Sequence, residues 1–209
     1  MKVKICGMKY PENIGQVALL KPDFLGFILY PQSSRYVDLV SIKDRLDGID
    51  GKVKRVAVFV NEGIEKLVNT CTRYGLDYVQ LHGDETPEYV AEVNNQGIGV
   101  IKAFSVSNSF DWNILGAYTA SAQYFLFDTA GSTRGGTGKK FNWGLLRKYK
   151  EDRPFFLSGG IGPSDIEAIK NLQIPQLEGI DANSRLELKP GLKDVERVKK
   201  LLNQVKNVR

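Results

Sequence analysis

Cys6 stands near the end of the run Val3-Lys4-Ile5-Cys6-Gly7. Read as a strand, the run puts Val3 and Ile5 on one face and Lys4 and Cys6 on the other. Such a division suits a strand whose apolar face packs under helices while Lys4 and Cys6 point into a site. A free thiol titrates at ~8.5, and a cation one pleat away favours the thiolate, so the pair predicts a base or a nucleophile. The alternative is that Cys6 is a small buried hydrophobe.

Further polar residues end or interrupt apolar runs in the same way. Gln80 and His82 share one parity of Tyr78-Val79-Gln80-Leu81-His82-Gly83, Lys102 lies inside Val100-Ile101-Lys102-Ala103-Phe104, and Asp128 ends Tyr124-Phe125-Leu126-Phe127-Asp128. Asp181 and Asn183 share a parity of the run 177–183. His82 is the only histidine, so a multi-histidine metal site is excluded; a proton shuttle or, preferably, a substrate contact remains. Lys102 either pairs with Asp128 or a substrate anion, or forms a Schiff base. Ser158-Gly159-Gly160-Ile161-Gly162 opens a helix, where backbone N–H groups and the helix dipole attract an anion, which predicts a phosphate site. The loop Gly135-Gly136-Thr137-Gly138-Lys139-Lys140 lacks the Ser or Thr of a nucleotide-binding loop; a lid over 131–141 fits it better.

To hold these groups together the chain must alternate strands and helices. Apolar runs predict strands at 3–7, 24–30, 55–60, 78–83, 100–104, 124–128, 155–160 and 177–183. Between and after them, helices are expected at 11–20, 37–49, 63–74, 86–95, 112–120, 143–150, 164–171 and 195–205. Eight such units without a linker favour an α/β fold, a single (β/α)8 TIM barrel domain over 1–209, with a doubly wound open sheet as the other candidate. The barrel gathers the polar strand ends at one mouth, with the loops after strands seven and eight as its usual phosphate site.

Composition agrees: 42% hydrophobic and 25% charged residues in 209 describe a globular chain. No stretch reaches the ~18–20 apolar residues that span a bilayer, and no secretory leader is seen, so a cytoplasmic protein without membrane contact is expected. The two cysteines, Cys6 and Cys71, are expected as free thiols without metal. The net charge of +5 favours an anionic partner. Lys199, Lys200, Lys206 and Arg209 lack aromatic interleaving and read as a solvated face, so a phosphorylated small molecule is expected rather than nucleic acid.

Taken in order, Lys4-Ile5-Cys6-Gly7, Tyr30-Pro31-Gln32-Ser33-Ser34-Arg35-Tyr36, Val79-Gln80-Leu81-His82-Gly83-Asp84-Glu85, Asp128-Thr129, Gly135-Gly136-Thr137-Gly138 with Phe141 and Trp143, Ser158-Gly159-Gly160-Ile161 and Asp181-Ala182-Asn183-Ser184 resemble the phosphoribosylanthranilate isomerase family of tryptophan biosynthesis. The resemblance implies one barrel catalysing an Amadori rearrangement without cofactor or metal, as a monomer or homodimer. By motif it implies Cys6 as general base and Asp128 as general acid. It also implies Arg35 as clamp of the anthranilate carboxylate, Gln80, His82 and Asp181 as substrate contacts, and Gly159, Gly160, Asn183 and Ser184 around the phosphate.

Two positions depart from the family pattern. Arg185 replaces a glycine after Asn-Ser, which predicts either a strained loop or a guanidinium gripping the phosphate. Asn142 replaces an aspartate before Trp143 and keeps a competent helix cap. The rival readings are the related histidine-pathway sugar isomerase, against which Cys6 counts, an aldolase built on Lys102, and a phosphate-binding barrel without turnover.

Overall fold

Residues 1–130 and 140–206 are described in a computed structural model. Eight parallel strands follow the apolar runs: β1 (Lys2–Ile5), β2 (Phe24–Ile28), β3 (Lys54–Phe59), β4 (Tyr78–Leu81), β5 (Gly99–Val106), β6 (Tyr124–Thr129), β7 (Phe155–Leu157) and β8 (Leu177–Ala182). They pair in chain order and close, with β8 returning to β1 in the register Lys4↔Asp181 and Ile5↔Ala182. An open doubly wound sheet is thereby ruled out.

The covering segments are less regular than the sequence suggests. Full helices form as α1 (Pro11–Leu19), α3 (Ile64–Tyr74), α4 (Pro87–Asn95) and α6 (Val195–Lys206); α2 (Lys43–Asp47) and α5 (Ile166–Lys170) are five residues each. The helix expected over 37–49 is a 3-10 turn, Val40–Ile42, running into α2, and those over 112–120 and 143–150 are 3-10 segments, Trp112–Tyr118 and Trp143–Lys148. Aromatic, Gly and Asn residues in those windows are poor helix formers, and the short windows do not offset the cost of nucleation. Asn142 does cap its segment, accepting the Gly144 N–H at 2.9 Å. A hairpin that the sequence did not announce follows β8: β9 (Glu187–Lys189) pairs antiparallel with β10 (Leu192–Lys193).

The two faces of β1 separate as predicted. Val3 and Ile5 join the apolar layer beneath the helices, and Lys4 points inward with no solvent exposure. The lower interior is packed by Phe24, Val56, Ile101, Ala103, Leu126 and Phe156, with Tyr78 and Tyr124 against them. Phe24 meets Phe156 edge to face at 5.3 Å, an arrangement favoured by the ring quadrupoles. With that end filled by rings, the polar strand ends occupy the opposite mouth. Among the described residues, no helix is long and apolar enough to cross a membrane.

Candidate active site

Cys6 follows β1, its amide held by the Ala182 carbonyl at 3.0 Å. Its sulfur needs an empty neighbour: a Cβ built on Gly26 would lie 2.8 Å from Sγ and 3.1 Å from Lys4 Nζ. Lys4 hydrogen-bonds the thiol, but its ammonium also lies 2.8 Å from Asp181 Oδ1, the residue directly across the β1/β8 register. The expectation that Lys4 tips Cys6 toward thiolate therefore needs correction. Burial pushes the thiol above its ordinary value, Lys4 opposes this, and the Asp181 charge adds to the rise. Lys4 itself, although burial disfavours its charge, is held above its usual value by Asp181 and Cys6.

Across the mouth, Asp128 near the end of β6 accepts the Thr129 N–H at 2.8 Å, with Oδ2 3.6 Å from His82 Nε2. Burial raises the Asp128 carboxyl, against His82 and the Thr129 amide, and Asp181 adds to the rise. His82 moves down, again because burial disfavours charge, with Asp128 opposing and Lys102 assisting. Gln80 Nε2 lies 2.8 Å from His82 Nδ1. If the amide donates there, the tautomer carries its proton on Nε2 and presents it to Asp128. Gln80 Oε1 is buried without a partner among the described residues.

Lys102 is engaged elsewhere than the sequence suggested. Its ammonium lies 2.8 Å from Glu85 Oε2 and 2.8 Å from the Gly83 carbonyl, and Glu85 Oε1 accepts the Asn61 and Gly83 amides at 2.9 and 3.0 Å. Lys102 thus ties the ends of β4 and β5 together instead of pairing with Asp128.

The glycine loop after β7 adopts the conformation that its residue types allow. Gly159 has φ +95° and Gly160 φ +65°, and a Cβ on Gly159 would strike Thr129 Oγ1 and come within 3.2 Å of Asp128 Oδ1. The expected helix dipole is weak here, because α5 is five residues long and Asp165 already accepts the Gly162 N–H at 2.9 Å. Asp165 also pairs with Lys140, and Phe141 N donates to Thr129 Oγ1 at 3.1 Å. The expected lid over 131–141 otherwise lies outside the described residues.

Asn183 packs against Gly7, whose Cβ would fall 2.7 Å from Asn183 Oδ1. Ser184 and Arg185 form a 3-10 turn, Ser184–Leu186. Among the described residues, the only non-glycine positions with positive φ are Lys21, Asn61 and Gln173, so Arg185 carries no backbone strain and that expectation is overturned. Its Cβ stands 3.3 Å from the position that a Gly162 Cβ would take, beside the glycine loop.

Two charged residues that sequence reasoning missed complete the mouth. Arg35 grips Glu187 with Nε at 2.9 Å from Oε1 and Nη2 at 2.7 Å from Oε2, leaving Nη1 outside the pair. Lys193 bonds Glu187 Oε1 at 2.8 Å and Asn183 Oδ1 at 2.6 Å. Both belong to the β9/β10 hairpin, which read as loop because its strands are three and two residues long.

The arrangement offers a carboxyl whose proton burial holds more tightly than usual, a thiol beside an ion pair, and a glycine loop suited to an anion, and among the described residues no cluster of His, Cys, Asp or Glu could hold a metal ion. Residues 3–204 match the family model of N-(5'phosphoribosyl)anthranilate isomerase. The N-(5'-phosphoribosyl)anthranilate isomerase of Parabacteroides distasonis is 42% identical over 206 residues, covering 98% of this chain and 93% of that one. Phosphoribosyl anthranilate isomerase from Thermus thermophilus superposes with a TM-score of 0.88 at 27% identity, covering both chains fully. A further isomerase structure, in complex with reduced 1-(o-carboxyphenylamino)-1-deoxyribulose 5-phosphate, superposes with a TM-score of 0.84 at 29% identity, again over both whole chains. Sequence match from end to end and the closed eight-strand barrel agree, and the chain belongs to the N-(5'-phosphoribosyl)anthranilate isomerase family.

Proposed function

We propose that Cys6 is the general base and Asp128 the general acid of the family's reaction, the aldose–ketose isomerisation of N-(5'-phosphoribosyl)anthranilate to 1-(2-carboxyphenylamino)-1-deoxyribulose 5-phosphate in tryptophan biosynthesis. The observation that supports this assignment is geometric: at one barrel mouth Asp128 Oδ2 lies 3.6 Å from His82 Nε2 at the end of β6, and the buried Cys6 thiol follows β1, with burial raising the Asp128 carboxyl. Asp128 gives its proton to the furanose ring oxygen as the C1–O bond breaks and the nitrogen lone pair forms C1=N. Cys6 then removes the C2 proton, and the electrons left behind make C1=C2 and neutralise the iminium. The resulting enolamine ketonises to the product.

A raised thiol yields less thiolate at neutral pH, but each thiolate formed is a stronger base. The iminium charge on the substrate favours that thiolate where it is needed. Lys4 and Asp181 hold the reacting ribose edge, and the unpartnered Gln80 Oε1 is an acceptor for a sugar hydroxyl. The phosphate rests on the Gly159/Gly160 backbone and Ser184, with Arg185 and Asn183 beside it. On this reading 1–209 is one barrel domain, working in the cytoplasm.

Cys6→Ser tests the base. Loss of anthranilate-type fluorescence change during turnover should slow by at least about 100-fold while the reduced ketose analogue still binds within about threefold of wild type. A serine variant within about tenfold of wild-type kcat would assign the base elsewhere. Arg35→Lys tests the clamp. The lysine preserves a charge for Glu187 but loses the planar fork, so KM should rise about tenfold with kcat nearly constant. An unchanged KM would remove Arg35 from the carboxylate site.

A further inference from the structure

Lys193 has no exposed side-chain surface, and the fold spends several groups on fixing it. Asn13 in α1 behaves as a surrogate strand: its Oδ1 accepts the Lys193 N–H at 2.7 Å and its Nδ2 donates to the Lys193 carbonyl at 2.9 Å. Asn13 is itself buried at 3% exposure, and a buried amide with both ends satisfied specifies one geometry. The ammonium is aimed by Glu187 Oε1 and by the Asn183 side chain and carbonyl at 2.6 and 3.3 Å. Residue 183 follows Ala182, whose carbonyl holds the Cys6 amide, and the Asn183 amide packs on Gly7, so the charge is delivered next to the Cys6–Gly7 backbone.

We propose that Lys193 is a positioning residue for the reaction, a fixed buried cation whose field stabilises the Cys6 thiolate. The inference rests on the reading of Cys6 as base. The charged groups facing Cys6 are Lys4 on its own strand, Asp181 on β8 and Lys193 on β10, while β2 presents Gly26. Asp181, salt-bridged to Lys4 at 2.8 Å, counters that lysine's effect at the sulfur. Lys193, paired in its turn with Glu187, adds a second favourable charge to that of Lys4. Burial lowers the Lys193 pKa and Arg35 adds to the fall, while Glu187 first and Cys6 after it oppose it; the ammonium's contact with Glu187 Oε1 at 2.8 Å is that of an ion pair.

The test is the pH dependence of Cys6 alkylation by iodoacetamide, followed by peptide mass spectrometry so that Cys71 does not contribute. Lys193→Met should raise the apparent thiol pKa by about one unit, a roughly tenfold loss of thiolate at a given pH, and shift the rise of kcat/KM to higher pH equally. Lys193→Arg keeps the charge and should restore the pKa to within about 0.3 unit. A folded Lys193→Met with an unshifted pKa, or an arginine variant shifted as far as the methionine one, overturns the proposal, since shape alone would then explain the residue. Should Lys193→Met fail to fold, Asn13→Ala decides: an upward shift supports the proposal and none overturns it. Because alkylation reads the thiol itself, a failure of Cys6 as base appears separately, as turnover by Cys6→Ser.

Discussion

Asp128→Asn is expected to lower kcat about a thousandfold while making the barrel more stable at neutral pH. Asparagine retains an oxygen for the Thr129 N–H and has nearly the same shape, but it has no proton to give the ring oxygen, so the loss should fall on kcat with KM little changed. The stability change has a definite sign. Asp128 titrates higher in the folded chain than its ordinary value because burial disfavours the anion. The folded state thus holds the proton more tightly, and stability falls as pH rises from the unfolded carboxyl's value, ~3.9, through the folded one. Removing the carboxyl removes that loss. The gain, about 1 kcal/mol or about 2–4 °C in Tm, should be present near pH 7 and vanish below about pH 4. Thermal melts at the two pH values check it; an asparagine variant less stable at both would show that the carboxylate's hydrogen bonds outweigh its burial.

The opposite balance is expected at Lys102. Lys102→Met should destabilise the fold by about 3–5 kcal/mol, because it leaves the Glu85 carboxylate buried with only the Asn61 and Gly83 amides for company. Lys102 also spans four acceptors on β4 and β5, including the Leu81 and Ala103 carbonyls at 3.3 and 3.2 Å, so the ends of both strands loosen together. The double variant Lys102→Met, Glu85→Gln should recover much of the loss, since the cost lies in the unpaired charge and not in the missing pair. Denaturant melts of the single and double variants measure this directly. A single-variant loss below about 1 kcal/mol would mean that water or a rearrangement reaches Glu85.

The strands were legible because runs such as Phe24-Leu25-Gly26-Phe27-Ile28 are buried on both faces and end at turn residues, a pattern local enough to read by eye. Face parity likewise placed Lys4, Gln80 and Asp181 inside before any coordinates. What parity cannot supply is the neighbour from a distant strand. Asp181 faces Lys4 only because β8 closes on β1 in one register, and that closure, together with burial, outweighs the effect that Lys4 has on Cys6. Arg35 was read as an open clamp for the same reason: its partner Glu187 lies on a hairpin whose strands are too short to show a period. The tight glycine loop after β7 was legible in its residues, whereas Asp165 capturing the Gly162 amide was not.

The closure of β8 on β1 also has a consequence for the order in which the molecule comes into being. Cys6 leaves the ribosome well before the strand that pairs with its amide and the charges of Asp181 and Lys193 do. During synthesis the thiol is an ordinary one, titrating near ~8.5 and open to oxidants or alkylating agents. Completion of the barrel then buries it and raises its pKa. At about 5–20 residues per second the interval lasts on the order of ten seconds or more. The nascent chain thus leaves open the sulfur that the folded barrel encloses, and the last barrel strand, β8, acts as its protecting group.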